Sequence, residues 1–183
     1  MKLTRNRIIF LGGVLIVSGL YFVYAYFTIP PTKEADGLLA DFGEGLGGVA
    51  VWGLGLLYCR GALKMLVHEG PWTQRFLPQE YGALAQGLSQ RLLILLNKSH
   101  PALGIITIVL LAGHAGLTTD GRMNLFLFLT MIIMFWQGGF GLFLKTRLTP
   151  LVLRRYTYAV HAQFVTGGLI LIFAGFGHLL VGD

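Results

Sequence analysis

Cysteine is almost missing from this sequence: Cys59 stands alone among 183 residues. One thiol makes no internal disulfide, and the Cys-x-x-Cys-His motif that attaches c-type haem is absent. Zinc and iron–sulfur sites built on cysteine need several thiolates, so they are excluded within the chain. Cys59 itself reads as a small buried hydrophobe. Charge is scarce too. Only 12% of the residues are charged, against about a quarter in soluble domains. Apolar residues make up 55%, and the mean hydropathy is +0.69. In water such a chain would expose a large sticky surface, and lipid is the solvent that suits it. The net charge of +6 does not form a basic patch. The cations sit at the ends of apolar runs, where they anchor and orient membrane helices, so nucleic acid is not an expected partner.

Other features are absent as well. No small-x-small cleavage site precedes Pro30-Pro31, and the apolar run from Ile8 to Ile29 exceeds the usual signal-peptide core. It reads as a retained first helix. No internal repeat of the transporter kind is visible, and no nucleophile–base pair supports hydrolysis. The membrane midplane is nearly free of charge, with Gln137 and Gln163 as its polar residues.

What is present is a set of apolar runs. A hydrocarbon core of about 30 Å needs about 20 apolar residues. The runs at 8–29, 43–66, 101–118, 124–144 and 157–181 qualify as spans. The expected fold is therefore all-α, a single membrane domain over 1–183 built as a bundle of five transmembrane helices. The second run is rich in glycine (Gly47, Gly48, Gly53, Gly55). Residues 78–96 place Tyr81, Leu84, Ala85, Leu88, Leu92 and Leu95 at helical spacing. They form an amphipathic cytoplasmic segment, either an interfacial helix or an N-terminal extension of the third span.

Basic residues orient the bundle. With the N-terminus in the cytoplasm, all of the 14 Lys and Arg residues except Lys33 and Arg122 fall on the inside. The C-terminus is then outside. The third and fifth runs both lead from inside to outside. His100 and His161 lie near their inner ends, and His114 and His178 near their outer ends. Each level of the membrane thus receives one histidine from each of two helices. That arrangement sandwiches two planar groups, one above the other. Ionisable residues at such depth are costly and are usually functional. Neutral imidazole is a good iron ligand, and two axial imidazoles are the ligation of an electron-transfer haem. On a helix, His100 and His114 are about 40° apart, whereas His161 and His178 are about 100° apart. A tilt, a bulge near Gly167-Gly168 or Gly175, or a change of rotamer has to absorb the second mismatch. Gly104, Gly113, Gly116, Gly167, Gly168, Gly175 and Gly177 lie near these histidines and would admit a porphyrin face, although small residues also serve plain helix packing.

The stretch Ser99-His100-Pro101-Ala102-Leu103-Gly104 through Gly113-His114-Ala115-Gly116 resembles the His-x-x-x-Gly…His pattern of membrane di-haem cytochromes b. His161 to His178 resembles the second ligand helix of the five-helix cytochrome b subunits of nitrate-reductase-like respiratory complexes. The likeness covers about residues 95–181; the fourteen- and seventeen-residue spacings depart from the family pattern. The resemblance implies haem b, contact with quinone, a partner redox subunit, and a place in a bacterial or archaeal cytoplasmic membrane.

The expected activity is electron transfer across the bilayer, as a subunit of an oxidoreductase rather than a stand-alone enzyme, with no catalytic residue of its own. His100 and His161 would hold an inner haem and His114 and His178 an outer one, or one haem alone if His178 does not ligate. Gly104 and Gly113 would admit the ring faces. Arg154 and Arg155 would pair with inner propionates or serve only as positive-inside anchors. Ser99, Thr107, Gln163 and Thr166 are candidate hydrogen-bond donors near the histidines. A quinone needs polar groups at one membrane face, for which His68, Glu69 and Lys98 inside, or Asp120 outside, are candidates. The partner would be a peripheral iron–sulfur protein or a c-type cytochrome. Three other readings stay open: a structural or assembly subunit without haem, a small transporter or proton conductor, and a membrane enzyme using one haem or a metal, which His68 as an extra ligand would favour.

Overall fold

The computed structural model describes residues 5–33, 35–68, 79–119, 123–146, 150–161 and 164–182. Six helices follow one another: α1 (Arg5–Thr28), α2 (Leu38–His68), α3 (Gln79–Thr118), α4 (Leu125–Thr146), α5 (Leu151–His161) and α6 (Phe164–Leu179). Two short strands, β1 (Thr32–Lys33) and β2 (Val181–Gly182), pair in parallel. The chain is all-α apart from that ladder. Four helices are long and apolar enough to cross a membrane: α1, α2, α3 and α4. A fifth apolar helical stretch, Val165–Leu179, is shorter.

The apolar residues point outward. Leu38 is 84% exposed and Trp52 and Phe27 are 79% exposed. Only 6% of the best α1 and α2 windows is buried, so burial inside the protein is not what makes these helices apolar. Outward-facing leucine and aromatic side chains suit contact with lipid.

The contact between α2 and α3 is made largely of small residues. On α2, Gly43, Gly47, Ala50 and Gly53 follow at steps of four, three and three, which keeps them on one face. That face lies against α3 in antiparallel register. A methyl group added at Gly43 would meet Leu117 Cβ at 2.8 Å, one at Gly47 would meet the His114 ring, and one at Gly53 would meet Thr107. Ala50 and Thr107 are completely buried. Such faces let two backbones approach closely, which is how membrane helices associate without a hydrophobic driving force. Cys59, expected to be buried, is exposed, because it lies off this packed face.

The amphipathic segment and the third span form one continuous 40-residue helix, α3. At 1.5 Å per residue it is about 60 Å long, about twice the thickness of a hydrocarbon core. Pro101 lies inside it and brings no N–H to the carbonyl of Asn97.

α4 runs antiparallel to α5 and α6. Asn124, just ahead of α4, caps it: its Oδ1 accepts from Leu127 N at 3.1 Å, and its Nδ2 donates to the Gly177 carbonyl at 2.8 Å. α1 joins the bundle through its C-terminal half. Phe22 stacks on Phe176 with ring centres 4.4 Å apart, and Tyr21 and Phe22 flank the buried Phe126. The β1–β2 ladder then ties the α1–α2 connection to the end of α6, and Ala35 N donates to the Thr118 carbonyl at 2.9 Å. Gly37 starts α2 with a φ of 104°, a conformation open to glycine at little cost.

Candidate functional site: two facing histidine pairs

α3 and the α5–α6 segment run in the same direction, and each carries two histidines. The His100 and His161 ring centres are 5.8 Å apart, with the planes inclined at 70°. The His114 and His178 ring centres are also 5.8 Å apart, inclined at 40°. The same four residues are thus brought together two by two, at the two ends of one helix pair. A metal–imidazole bond is about 2.0–2.1 Å. With the radius of each ring added, a metal held between two imidazoles would set ring centres about 6 Å apart. Both pairs are close to that spacing.

The rings of His114 and His161 are held by main-chain carbonyls. His114 Nδ1 lies 3.0 Å from the Gly43 oxygen, and His161 Nδ1 lies 3.0 Å from the Gln137 oxygen. A carbonyl only accepts, so each Nδ1 must carry the proton and donate. Nε2 is then the nitrogen with a free lone pair, the form in which imidazole binds a metal. Opposite His161, His100 Nδ1 is buried and has no hydrogen-bond partner. A buried ring nitrogen left unpaired costs about 1–3 kcal/mol.

The surroundings differ at the two levels. Near His114 and His178 there is a small cavity of about 80 Å³, lined also by Lys33, Thr118, Thr130 and Met131. Thr118 Oγ1 donates to the His114 carbonyl at 2.8 Å. The level of His100 and His161 is cationic. Arg60 Nε donates to Asn97 Oδ1 at 2.6 Å. Lys64 Nζ donates to the Tyr158 hydroxyl at 2.8 Å and lies 5.5 Å from a ring centre, also that of Tyr158.

The other expected residues fall less neatly. Gly104 has nothing within 4 Å of an added methyl, whereas Gly113 faces Leu46 of α2 at 3.0 Å, so Gly113 serves helix packing. Arg154 and Lys98 are exposed. Glu69, Asp120 and Gln163 lie outside the described residues, as do the side chains of Arg155 and His68. Ser99 bonds back to its own helix at Leu95, and Thr107 packs on Gly53. Thr166 accepts from the Gln137 side-chain amide. Sequence reasoning missed the roles of Gly43 and Gln137, whose carbonyls accept from the imidazoles, and of Gly47 and Gly141, against which the rings sit. The available signal was the i, i+4 pairing of Gly43 with Gly47 and of Gln137 with Gly141. Among the described residues, no three His, Cys, Asp or Glu side chains come together as metal ligands. Among the described residues, each level holds two histidines and no third such side chain.

Comparison with known proteins adds no family: no family model, no curated protein and no solved structure matches the chain.

Proposed function

We propose that the chain is the electron-transfer subunit of a membrane oxidoreductase and holds two b-type haems, one on His100 and His161 and one on His114 and His178. The observation that carries this reading is the pair of imidazole contacts, both at 5.8 Å, on helices that run in parallel. Two protein ligands without a third suit an ion whose other positions are filled by a macrocycle. The buried, unpartnered His100 Nδ1 supports a bound group at its level, and a small cavity adjoins the His114–His178 pair. When bound, haem with two axial imidazoles supplies one-electron cycling with no open position for oxygen.

The residues of the chain then bind, orient and insulate. His114 and His161 present Nε2 because Gly43 and Gln137 fix their Nδ1 protons. Arg60, Lys64 and Arg154 provide positive charge for the carboxylates such a group carries at one level, and Lys33 does so at the other. The outward-facing apolar helices exclude water from both. On this reading α5 and α6 together make the fifth span, the N-terminus is cytoplasmic, and the His100–His161 level is the inner one, in keeping with the distribution of basic residues. Quinone exchange we assign to the outer end. A cleft there of about 480 Å³ is lined by Tyr21, Tyr26, Pro30 and Asn124, an apolar wall with hydroxyl and amide groups for a quinone carbonyl. A peripheral iron–sulfur protein or a c-type cytochrome completes the path.

The test is a dithionite-reduced minus oxidised spectrum of the detergent-purified protein, with haem quantified as the pyridine haemochrome. A sharp b-type alpha band with two haems per chain is expected. One haem per chain would break one of the two pairs. A folded, haem-free preparation from haem-replete cells would overturn the reading.

A further inference from the structure

The two carbonyl contacts share a construction. In an α-helix the carbonyl of residue i accepts from the N–H of residue i+4, and the side chain at i+4 stands over that oxygen. A second donor reaches it only where the cover is missing. On α2 the accepting carbonyl is that of Gly43, and residue i+4 is Gly47. On α4 it is that of Gln137, and residue i+4 is Gly141. A methyl group at Gly47 would lie 2.7 Å from His114 Nδ1 and 2.9 Å from Cε1. One at Gly141 would lie 2.8 Å from His161 Cε1 and 3.3 Å from Nδ1. Both are too close for a rigid ring that is already hydrogen-bonded. On the same helices Gly48, Gly55 and Gly139 have nothing within 4 Å of an added methyl, whereas Gly43, Gly53 and Gly138 pack against Leu117, Thr107 and Ile108. What sets Gly47 and Gly141 apart is that the group seated on each is a ring hydrogen-bonded to the carbonyl one turn earlier.

We infer that Gly47 and Gly141 are positioning residues for His114 and His161. Each uncovers the carbonyl one turn earlier, so that the imidazole donates Nδ1–H to a main-chain oxygen and presents Nε2. The oxygen accepts twice, from the helix and from the ring, using its two lone pairs. A main-chain acceptor cannot change rotamer, so the ring plane is fixed by the helix itself. Donation from Nδ1 also makes Nε2 more basic. His114, on α3, is held in this way by α2, and His161, on α5, by α4. The hydrogen-bond part of the inference concerns the chain alone; its consequence for haem rests on the electron-transfer reading.

The experiment compares Gly47→Ala and Gly141→Ala with Gly48→Ala and Gly139→Ala in the full-length chain. Two readouts are taken: the histidine side-chain 15N and N–H resonances of labelled protein, and the midpoint potentials of any bound haem. In the wild type, His114 and His161 should show Nδ1–H protons shifted downfield by hydrogen bonding. Gly47→Ala should remove that signature from His114 alone and Gly141→Ala from His161 alone, with both controls unchanged. If haem is present, the potential of the matched haem should rise, as its ligand becomes less basic, while the other stays. If no haem is found but the resonances follow this pattern, the electron-transfer reading fails and the positioning role stands. If both variants match their controls, the positioning role is overturned whatever the haem content. Should the variants not fold, an Nε2–H tautomer or a non-hydrogen-bonded Nδ1–H at either histidine in the wild type overturns it.

Discussion

His161 meets His100 with ring centres 5.8 Å apart and at the same time sets its Nδ1 3.0 Å from the carbonyl of Gln137. The side-chain amide of Gln137 donates to Thr166. One residue of α4 thus engages α5 through its main chain and α6 through its side chain. Gln137 stood out in the sequence as a rare polar residue at the midplane. Its place in the bundle accounts for it, because each of its amides reaches a partner without water.

The four histidines should sort into two independent sets. His100→Ala and His161→Ala should each remove one haem and leave the other, and the two single losses should match the double variant. His114→Ala and His178→Ala should remove the complementary one. Pyridine haemochrome counts and redox titration check this. Loss of both haems from every single variant would mean that the levels are coupled, against the separate pairings seen here.

Much of this site was legible because depth in a membrane follows from position along a helix. His100 and His114 share a face of α3, and alternation of successive runs makes α3 and the last apolar run co-directional. The pairing followed from those two facts. The angle was less legible. Counting 100° per residue from His161 to His178 assumes one uniformly regular helix, and both rings reach their α3 partners without that assumption. The carbonyl anchors were illegible for a different reason. Main-chain oxygens have no letter in a sequence, and a glycine that uncovers one reads like a glycine that packs. Gly113 shows the converse: it adjoins His114 in sequence but faces Leu46.

Asn124 joins two roles that substitution can separate. Its Oδ1 caps α4, and its Nδ2 holds the Gly177 carbonyl beside His178. Asn124→Ala should lose both, with about 1 kcal/mol from the cap and a shift in the potential of the His114–His178 haem. Asn124→Asp keeps the capping oxygen but places a carboxylate against a carbonyl. It should keep most of the helix stability while still shifting that potential. Thermal denaturation and redox titration together read the two effects.

Close packing of α2 on α3 predicts a sharp contrast between two glycines on one helix. A methyl group at Gly53 runs into Thr107, which is 1% exposed and whose branched side chain has little room to turn. Gly53→Ala should therefore destabilise the protein by about 1–3 kcal/mol. A methyl at Gly55 meets nothing. Gly55→Ala should be neutral, or stabilising by up to about 1 kcal/mol through helix propensity. Unfolding midpoints in a fixed detergent mixture, measured side by side, check the pair.

The orientation assigned to the bundle rests on where lysine and arginine fall, and two lysines test it directly. Lys33 lies on β1, at the end that carries His114 and His178, and Lys64 lies near the far end of α2, bonded to Tyr158. In a Cys59→Ser background, Lys33→Cys should react with a membrane-impermeant maleimide added to intact cells. Lys64→Cys should react only after the membrane is opened. The reverse pattern would invert the bundle, make the His114–His178 level the cytoplasmic one, and move the proposed quinone cleft to the inner face. Labelling of both from outside would mean that α2 does not cross the membrane. The antiparallel packing of α2 on α3 would then have to form at a surface, where the outward-facing Trp52 and Leu38 would meet water on one side. Their exposure of 79% and 84% makes that arrangement costly, since each such side chain loses about 1.5–3 kcal/mol by remaining in water rather than in an apolar phase.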